Sequence, residues 1–434
     1  MKNYTKQTLF TSLVFISCMC VAPVAASAEA GDGVQGENFV LKLSAGAGTT
    51  FNSNLFYQDE SPSSALAAVL TPGLSLASVK TDKVALSLDW GLALTQYLSS
   101  NRVLRSQSGI STDLGAAAHF NQAGGVSLRL EENLQRTNEA PSAPNARTIN
   151  RFNNQVGGIL GIHPGGRVLQ GYLSYHWRSL NFNNPDINFS QANRDEHALQ
   201  GRFVWQFRPR TAANLTANYT FVNYDQPQRV VSGVSYPNIN TRPLRLTAGL
   251  NGLILRNLGA ELTAGYGRAI YSTGPSFNSF IGRAALSYYI QSNKNNSVTL
   301  AYDRSFNDSI IGNYYLSNRG DLIYTQPLMG ERLGLELGAF YNRQTYHIIP
   351  QQGTTTNGSS VAIPEVVTDN RFGGGLGLGF TPLKWLNIKG GYQLNANASN
   401  DNVTITGVSQ NGNVIVSGRG YMQHIVNASV TATY

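Results

Sequence analysis

The chain has 434 residues, a formal charge of +8 and 13% charged residues, against about 25% in an ordinary soluble domain. Mean hydropathy is -0.19, and no apolar run of spanning length follows residue 21, which excludes a helical membrane protein. Gly 44 and Tyr 21 are high, and Asn, Ser and Thr fill most other polar positions. Such a composition suits a wall with hydrocarbon on one side and an uncharged polar lumen on the other.

In chain order, Lys2 and Lys6 come first, then an apolar run over 9–21, then Ala26, Ser27 and Ala28 in the small-x-small form of a signal-peptidase site. The spacing predicts a signal peptide over 1–28, a short periplasmic segment over 29–37 and a transmembrane barrel over 38–434. The segment over 29–37 is too short for a plug domain. Cleavage would remove both lysines and lower the formal charge to +6. It would also remove Cys18 and Cys20, and with them thiolate-metal, cysteine-nucleophile and disulfide chemistry. A lipoprotein reading at Cys18 is weak, because Phe15, Ile16 and Ser17 lack the usual Leu and small residues.

The rest divides into roughly eighteen alternating segments of about ten residues, as transmembrane strands require. Leu86, Leu88, Trp90, Leu92 and Leu94 alternate with Ser87, Asp89, Gly91 and Ala93; Leu215, Ala217, Tyr219 and Phe221 alternate with Thr216, Asn218 and Thr220. Period two gives each strand one apolar and one polar face. The connections sort by parity. Short ones lie at 80–83, 121–124, 163–166, 208–211, 255–259, 291–295, 327–332 and 381–384. Long ones lie at 52–64, 97–105, 136–148, 181–193, 224–240, 271–276, 307–312, 344–369 and 396–418. Bacterial barrels have short periplasmic turns and long outer loops; a soluble sheet protein has no reason to sort them. The fold expected is therefore all-β: one antiparallel outer-membrane barrel. Phe120, Phe207, Tyr288, Tyr324, Phe380 and Tyr434 would form its periplasmic girdle, and Trp177, Phe221, Tyr341 and Tyr392 the outer one.

By the same parity Lys42, Arg129, Arg178, Arg202, Arg245, Arg283, Arg319 and Lys389 point into the lumen. So do Asp89, Asp113, Glu131, Glu261, Asp303, Asp321 and Glu336. Such charges either pair across strands and stiffen the wall or set pore selectivity. Lys80, Lys83, Arg167, Arg208, Arg210, Arg256, Lys294, Arg332 and Lys384 crowd the short turns against Asp82 and Glu331. A basic mouth concentrates anionic solutes; contact with phospholipid headgroups would give the same bias. The run 373–379, Gly-Gly-Gly-Leu-Gly-Leu-Gly, lacks the Lys-Ser/Thr of a phosphate loop and alternates as a strand, which makes it a smooth stripe of lumen wall. His176 with Ser174, and Asp195 and Glu196 with His197, are the catalytic candidates, but His176 falls on lumen parity and His197 on lipid parity, so an enzyme is not expected. Nothing calls for a cofactor, a metal ion or nucleic acid. In the loop over 344–369, apolar clusters at 348–350 and 361–364 suit a lid.

The last segment, 421–434, places Val426, Ala428, Val430, Ala432 and Tyr434 on one face and Asn427, Ser429, Thr431 and Thr433 on the other. It resembles the closing strand of outer-membrane barrels, whose final aromatic is read by the barrel-assembly machinery, which would make Tyr434 the insertion signal. Gly46, Gly48, Asn52, Asn54, Leu55 and Phe56, then 193–197 (Asn-Arg-Asp-Glu-His), then 208–211 (Arg-Pro-Arg-Thr) with Leu215, Tyr219 and Tyr224 resemble the β-barrel porin 2 family. That resemblance would cover essentially the whole mature chain. It implies a barrel of about this size and, through members encoded with exopolysaccharide operons, a terminal export pore fed by a periplasmic polysaccharide export protein. The alternative is a general or solute-selective diffusion porin. The partners expected are outer-membrane lipid, the assembly machinery, and a polysaccharide or small solute in the lumen.

Overall fold

In a computed structural model the described residues are 27–58, 61–79, 83–139, 149–164, 168–182, 193–231, 234–274, 276–290, 295–308, 314–330, 332–347, 352–354, 360–362, 366–399, 404–408, 414–417 and 420–434. Two short N-terminal strands and eighteen long ones form a single antiparallel sheet. The long strands are β1 (Phe39–Asn52), β2 (Ala65–Ser78), β3 (Val84–Tyr97), β4 (Gly109–Phe120), β5 (Val126–Glu139) and β6 (Ile149–Ile162). Next come β7 (Leu169–Phe182), β8 (Arg194–Arg208), β9 (Thr211–Tyr224), β10 (Thr241–Leu255), β11 (Leu258–Tyr271) and β12 (Phe277–Tyr289). The last six are β13 (Ser297–Asp308), β14 (Tyr314–Leu328), β15 (Leu333–His347), β16 (Val366–Leu383), β17 (Leu386–Ser399) and β18 (Tyr421–Thr433).

Each strand pairs with its neighbour in sequence, and β18 pairs with β1 from Ile425–Asn52 to Thr433–Ser44. Closure leaves no free edge, which hydrocarbon demands because it offers the backbone no hydrogen bonds. The alternation becomes two surfaces. Leu70, Leu215 and Leu300 are 54%, 57% and 59% exposed on the outer face, far more apolar exposure than a water-facing protein tolerates. Of the expected girdle, Phe120, Phe207, Tyr288, Tyr434, Phe221, Tyr341 and Tyr392 are exposed.

The parity of the connections holds, with local shifts in their bounds. Pro327 stays in β14 opposite Gly334, because a missing N–H costs little at a rim. A bulge between Phe380 and Leu383 carries Thr381 into β16, so its turn begins at Lys384 rather than at 381. On the long-loop side, pairing of Gln344 with Asp369 and Tyr346 with Val367 extends β15 and β16 into the segment expected as loop. The clusters at 348–350 and 363–364 lie outside the described residues. One helical turn, Arg102–Arg105, stands in the β3–β4 loop, capped by the Asn101 side chain, which accepts from Val103 N–H at 2.8 Å.

Two departures from a uniform cylinder matter for the lumen. At the periplasmic end β18 stops short of the start of β1, and a hairpin of Ser27–Glu29 and Gly33–Gln35 takes up the vacant edge, pairing Val34 with Leu41. That hairpin crosses the expected cleavage position, and cleavage remains an expectation. At the outer end, pairing between β12 and β13 stops at Gly282–Arg304. Beyond it β13 parts from β12 while staying paired with β14 as far as Asp308–Tyr314, and Phe306 packs against the inner face of β11 and β12. Phe277, Ile281, Phe306, Tyr271 and Tyr314 form a buried cluster there.

Candidate functional site: the lumen and its two mouths

The lumenal wall from β4 to β12 carries three recesses that share lining residues. The first, at the periplasmic mouth, is lined by Arg210, Arg256, Glu261, Ser287 and Tyr289. The second, on β4 to β8, is lined by His119, Arg129, His163, Tyr172, Gln200 and Arg202 among others. The third lies between them and is lined wholly by polar side chains: Gln200, Arg202, Asn214, Thr216, Thr247, Asn251, Glu261 and Thr263. Gln200 and Arg202 belong to the second and third, Glu261 to the first and third. The three therefore adjoin one another across strands β4 to β12, round the periplasmic half of the lumenal wall.

Seven of the fifteen lumenal charges named above are in ion pairs. Arg129 Nε lies 2.7 Å from Glu131, whose other oxygen lies 2.9 Å from His176 Nε2. Glu196 holds Arg194 at 2.8 Å and Arg178 at 3.4 Å, while Arg178 Nε also donates to Asn153 at 2.7 Å. Arg283 lies 3.4 Å from Glu261, and Arg319 grips Asp321 with two nitrogens. Of the remaining pore-lining candidates, Asp89 pairs in register with Ser75, Glu336 with Gly377, and Arg202 with Tyr172 and Thr216, all on lumen parity. Arg245 stands apart, since its partners are on β13. It donates to the Phe306 carbonyl at 2.9 Å and lies 4.3 Å from the ring centroid.

At the periplasmic mouth Lys83, Arg208, Arg210, Arg256 and Lys384 are exposed beside their turns. Lys80 lies outside the described residues. Lys384 is partly neutralised, 3.5 Å from Asp32 of the N-terminal hairpin. Tyr434 exchanges two backbone hydrogen bonds with Leu43, at 2.7 and 2.8 Å, and its ring faces outward, 50% exposed. The glycine run of β16 lies on the lumen face, with the Phe340 ring over Gly373 and open space at Gly379. His176 bonds to Glu131 inside the barrel, whereas His197 Nδ1 meets Tyr175 OH at 2.8 Å on the outer face. The catalytic candidates do not converge. At the outer rim, partial burial first and Asp195 second raise the pKa of Asp225 above the ordinary carboxylate value.

The sequence reading missed the outer constriction. Phe306 shares parity with Leu300 and Tyr302, which face outward, so alternation alone sends it to lipid. It is 1% exposed inside because β13 turns inward after Arg304. The one signal for it in the sequence is the density of rings at the strand ends: Phe277, Phe306, Tyr314 and Tyr315.

A closed barrel with an apolar outside, a polar inside and loops sorted by side defines an outer-membrane β-barrel. No family model and no curated protein matches the chain. Among solved structures it is similar to OpdK of Pseudomonas aeruginosa with vanillate, at 12% identity over 91% of this chain and 99% of that one, TM-score 0.47. OccAB3 of Acinetobacter baumannii gives 12% identity, 91% and 99% coverage and TM-score 0.48. The FrpB iron transporter of Neisseria meningitidis gives 8%, 92%, 82% and 0.48. The barrel itself rests on this chain's own strand pairing, not on these likenesses.

Proposed function

We propose that this barrel is a passive outer-membrane channel for saccharides whose cargo is exopolysaccharide leaving the cell, received from a periplasmic export protein. The observation that carries the reading is the band of amides, hydroxyls and the guanidiniums of Arg202, Arg210 and Arg256, unpaired among the described residues, across the β4–β12 wall. Sugars are held by many weak hydrogen bonds that exchange as the chain moves, and a pore must bind weakly enough to release. Barrels of 16–18 strands leave an aqueous channel. The basic periplasmic mouth and the resemblance to barrels of exopolysaccharide operons point the same way.

A solute-selective diffusion porin is the second reading, and the narrowing by β13 at the outer mouth favours it, since small solutes need less clearance than a polymer. A deletion strain separates the two. Loss of one surface polysaccharide with unchanged entry of small nutrients supports export. Full surface polysaccharide with slower nutrient uptake transfers the function to the porin reading.

A further inference from the structure

We infer that the second recess, on β4 to β8, is a binding subsite for the carboxylate-bearing sugar of an acidic saccharide. The inference rests on the saccharide-channel reading and narrows its substrate class.

Arg202 carries it. Its guanidinium is exposed in the lumen and has no hydrogen-bond or ion-pair partner among the described residues. Every other arginine discussed above for the middle of the β5–β12 wall is occupied: Arg129 by Glu131, Arg178 by Asn153 and Glu196, Arg245 by the Phe306 carbonyl, Arg283 by Glu261. The recess around Arg202 contains two arginines, two histidines and no carboxylate among its lining residues. With Arg129 held by Glu131, Arg202 is the recess's uncompensated cation. A guanidinium fork matches a carboxylate in two-point geometry.

The surroundings ask for more than a bare anion. Tyr172 sits directly across from Arg202 in the β7–β8 register and from Gly161 in the β6–β7 register. The glycine lets Ser127 and His163 close in over the β6 backbone: a Cβ there would come within 2.6 Å of Ser127 Oγ and 3.0 Å of the His163 ring. Tyr172 is fixed by donating to Gln170 at 2.6 Å and by His163 Nε2 at 3.3 Å, with the two rings edge to face at 5.4 Å. A held aromatic face beside a free guanidinium, with the Gln200 amide and Ser174 hydroxyl adjoining, offers a pyranose ring its apolar face contact, its carboxylate partner and its hydroxyl partners together.

The test uses the purified full-length barrel in a planar bilayer, with current interruptions read as binding of galacturonic acid trimer, and of maltotriose as the neutral match. Wild type should bind the acidic trimer at least about tenfold more tightly, and Arg202→Gln should erase that preference, a change of about ten- to a hundredfold for a charge-assisted pair. Tyr172→Leu should weaken both sugars together. Heat-modifiable migration on gels checks that each variant is folded. If Arg202→Gln does not fold, competition on the wild type still decides: inorganic phosphate at equal concentration should displace the acidic trimer poorly. Equal block by both sugars, unchanged block in Arg202→Gln, or ready displacement by phosphate would each overturn the subsite. Block by the acidic trimer in a protein whose deletion leaves surface polysaccharide intact would keep the subsite and discard export.

Discussion

Arg245 on β10 holds Phe306 on β13 across two intervening strands, donating to its carbonyl at 2.9 Å and packing on its ring at 4.3 Å. In a regular barrel these residues would sit on opposite surfaces. The contact exists because β13, with β14 still paired to it, parts from β12 above Gly282 and brings its nominally outward ring against the lumen face. Arg304 covers the resulting break, donating to the Phe280 carbonyl at 3.1 Å and to Asn318 at 2.8 Å. A side chain thus replaces part of a ladder that the strand has given up. Tyr271 adds a bond to Asp308 at 3.5 Å.

Replacing Arg245 with Met should free this flap. The hydrogen bond to a charged donor and the cation–ring contact contribute together about 2–4 kcal/mol, enough to shift a closed outer mouth toward an open one. Single-channel recording should show higher conductance or more frequent opening than in wild type. Identical conductance and noise would mean that the flap does not limit the pore.

Gly267 tests the same contact from the other side. A Cβ there would lie 2.5 Å from the Phe306 ring, closer than any real contact, while the backbone of β11 has no need of glycine's freedom. Gly267→Val should therefore expel Phe306 and raise conductance as Arg245→Met does, with the barrel still resistant to cold SDS. Additivity of the two substitutions would argue against a shared mechanism, since neighbours acting on one element should not add.

Period two and loop parity made the barrel and its strand number legible in the sequence. Arg129 and Arg202 line the second recess. Alternation fails where a strand parts from its neighbour, because parity reports a face only while the sheet is regular; Phe306 and the flap were invisible for that reason. Pairing was half legible. Arg129–Glu131 and Arg319–Asp321 are two residues apart on one strand, so sequence gives their common face, but Arg178–Glu196 depends on the β7–β8 register. That Arg202 remains free depends on where every other charge went, which composition cannot say.

The cations at the periplasmic turns lead to a salt-dependent prediction. Arg208, Arg210 and Arg256 are exposed, and Arg210 and Arg256 line the first recess, whereas Lys384 is engaged by Asp32. Converting the three arginines to Gln should lower the preference for anions in reversal-potential measurements. The loss should be clear near 0.1 M salt and small at 1 M, because the screening length falls from about 10 Å to about 3 Å. A loss equal at both concentrations would assign the effect to pore shape instead of mouth charge. Adding Lys384→Gln should lower the preference further, because it leaves Asp32 uncompensated at the same mouth.

The closing seam gives the last prediction. Tyr434 exchanges both backbone hydrogen bonds with Leu43, and Gly31 N–H of the N-terminal hairpin donates to the Thr433 carbonyl at 3.1 Å. Gly31 has φ +92 and lies against the backbone of Lys384, while Gly33 has φ +81 and lies against the Leu41 carbonyl; side chains at either would clash with main chain. The hairpin thus completes the rim where β18 ends. Deleting Tyr434 removes two hydrogen bonds at the seam, about 1–3 kcal/mol together, and the proposed recognition signal with them. Tyr434→Asp keeps the backbone bonds and removes the ring alone. If the ring is read during assembly, both variants should be depleted from outer-membrane fractions, while refolding into detergent from urea should fail or slow for the deletion and proceed for Tyr434→Asp. Normal outer-membrane levels of Tyr434→Asp would restrict the terminal residue to closing the sheet.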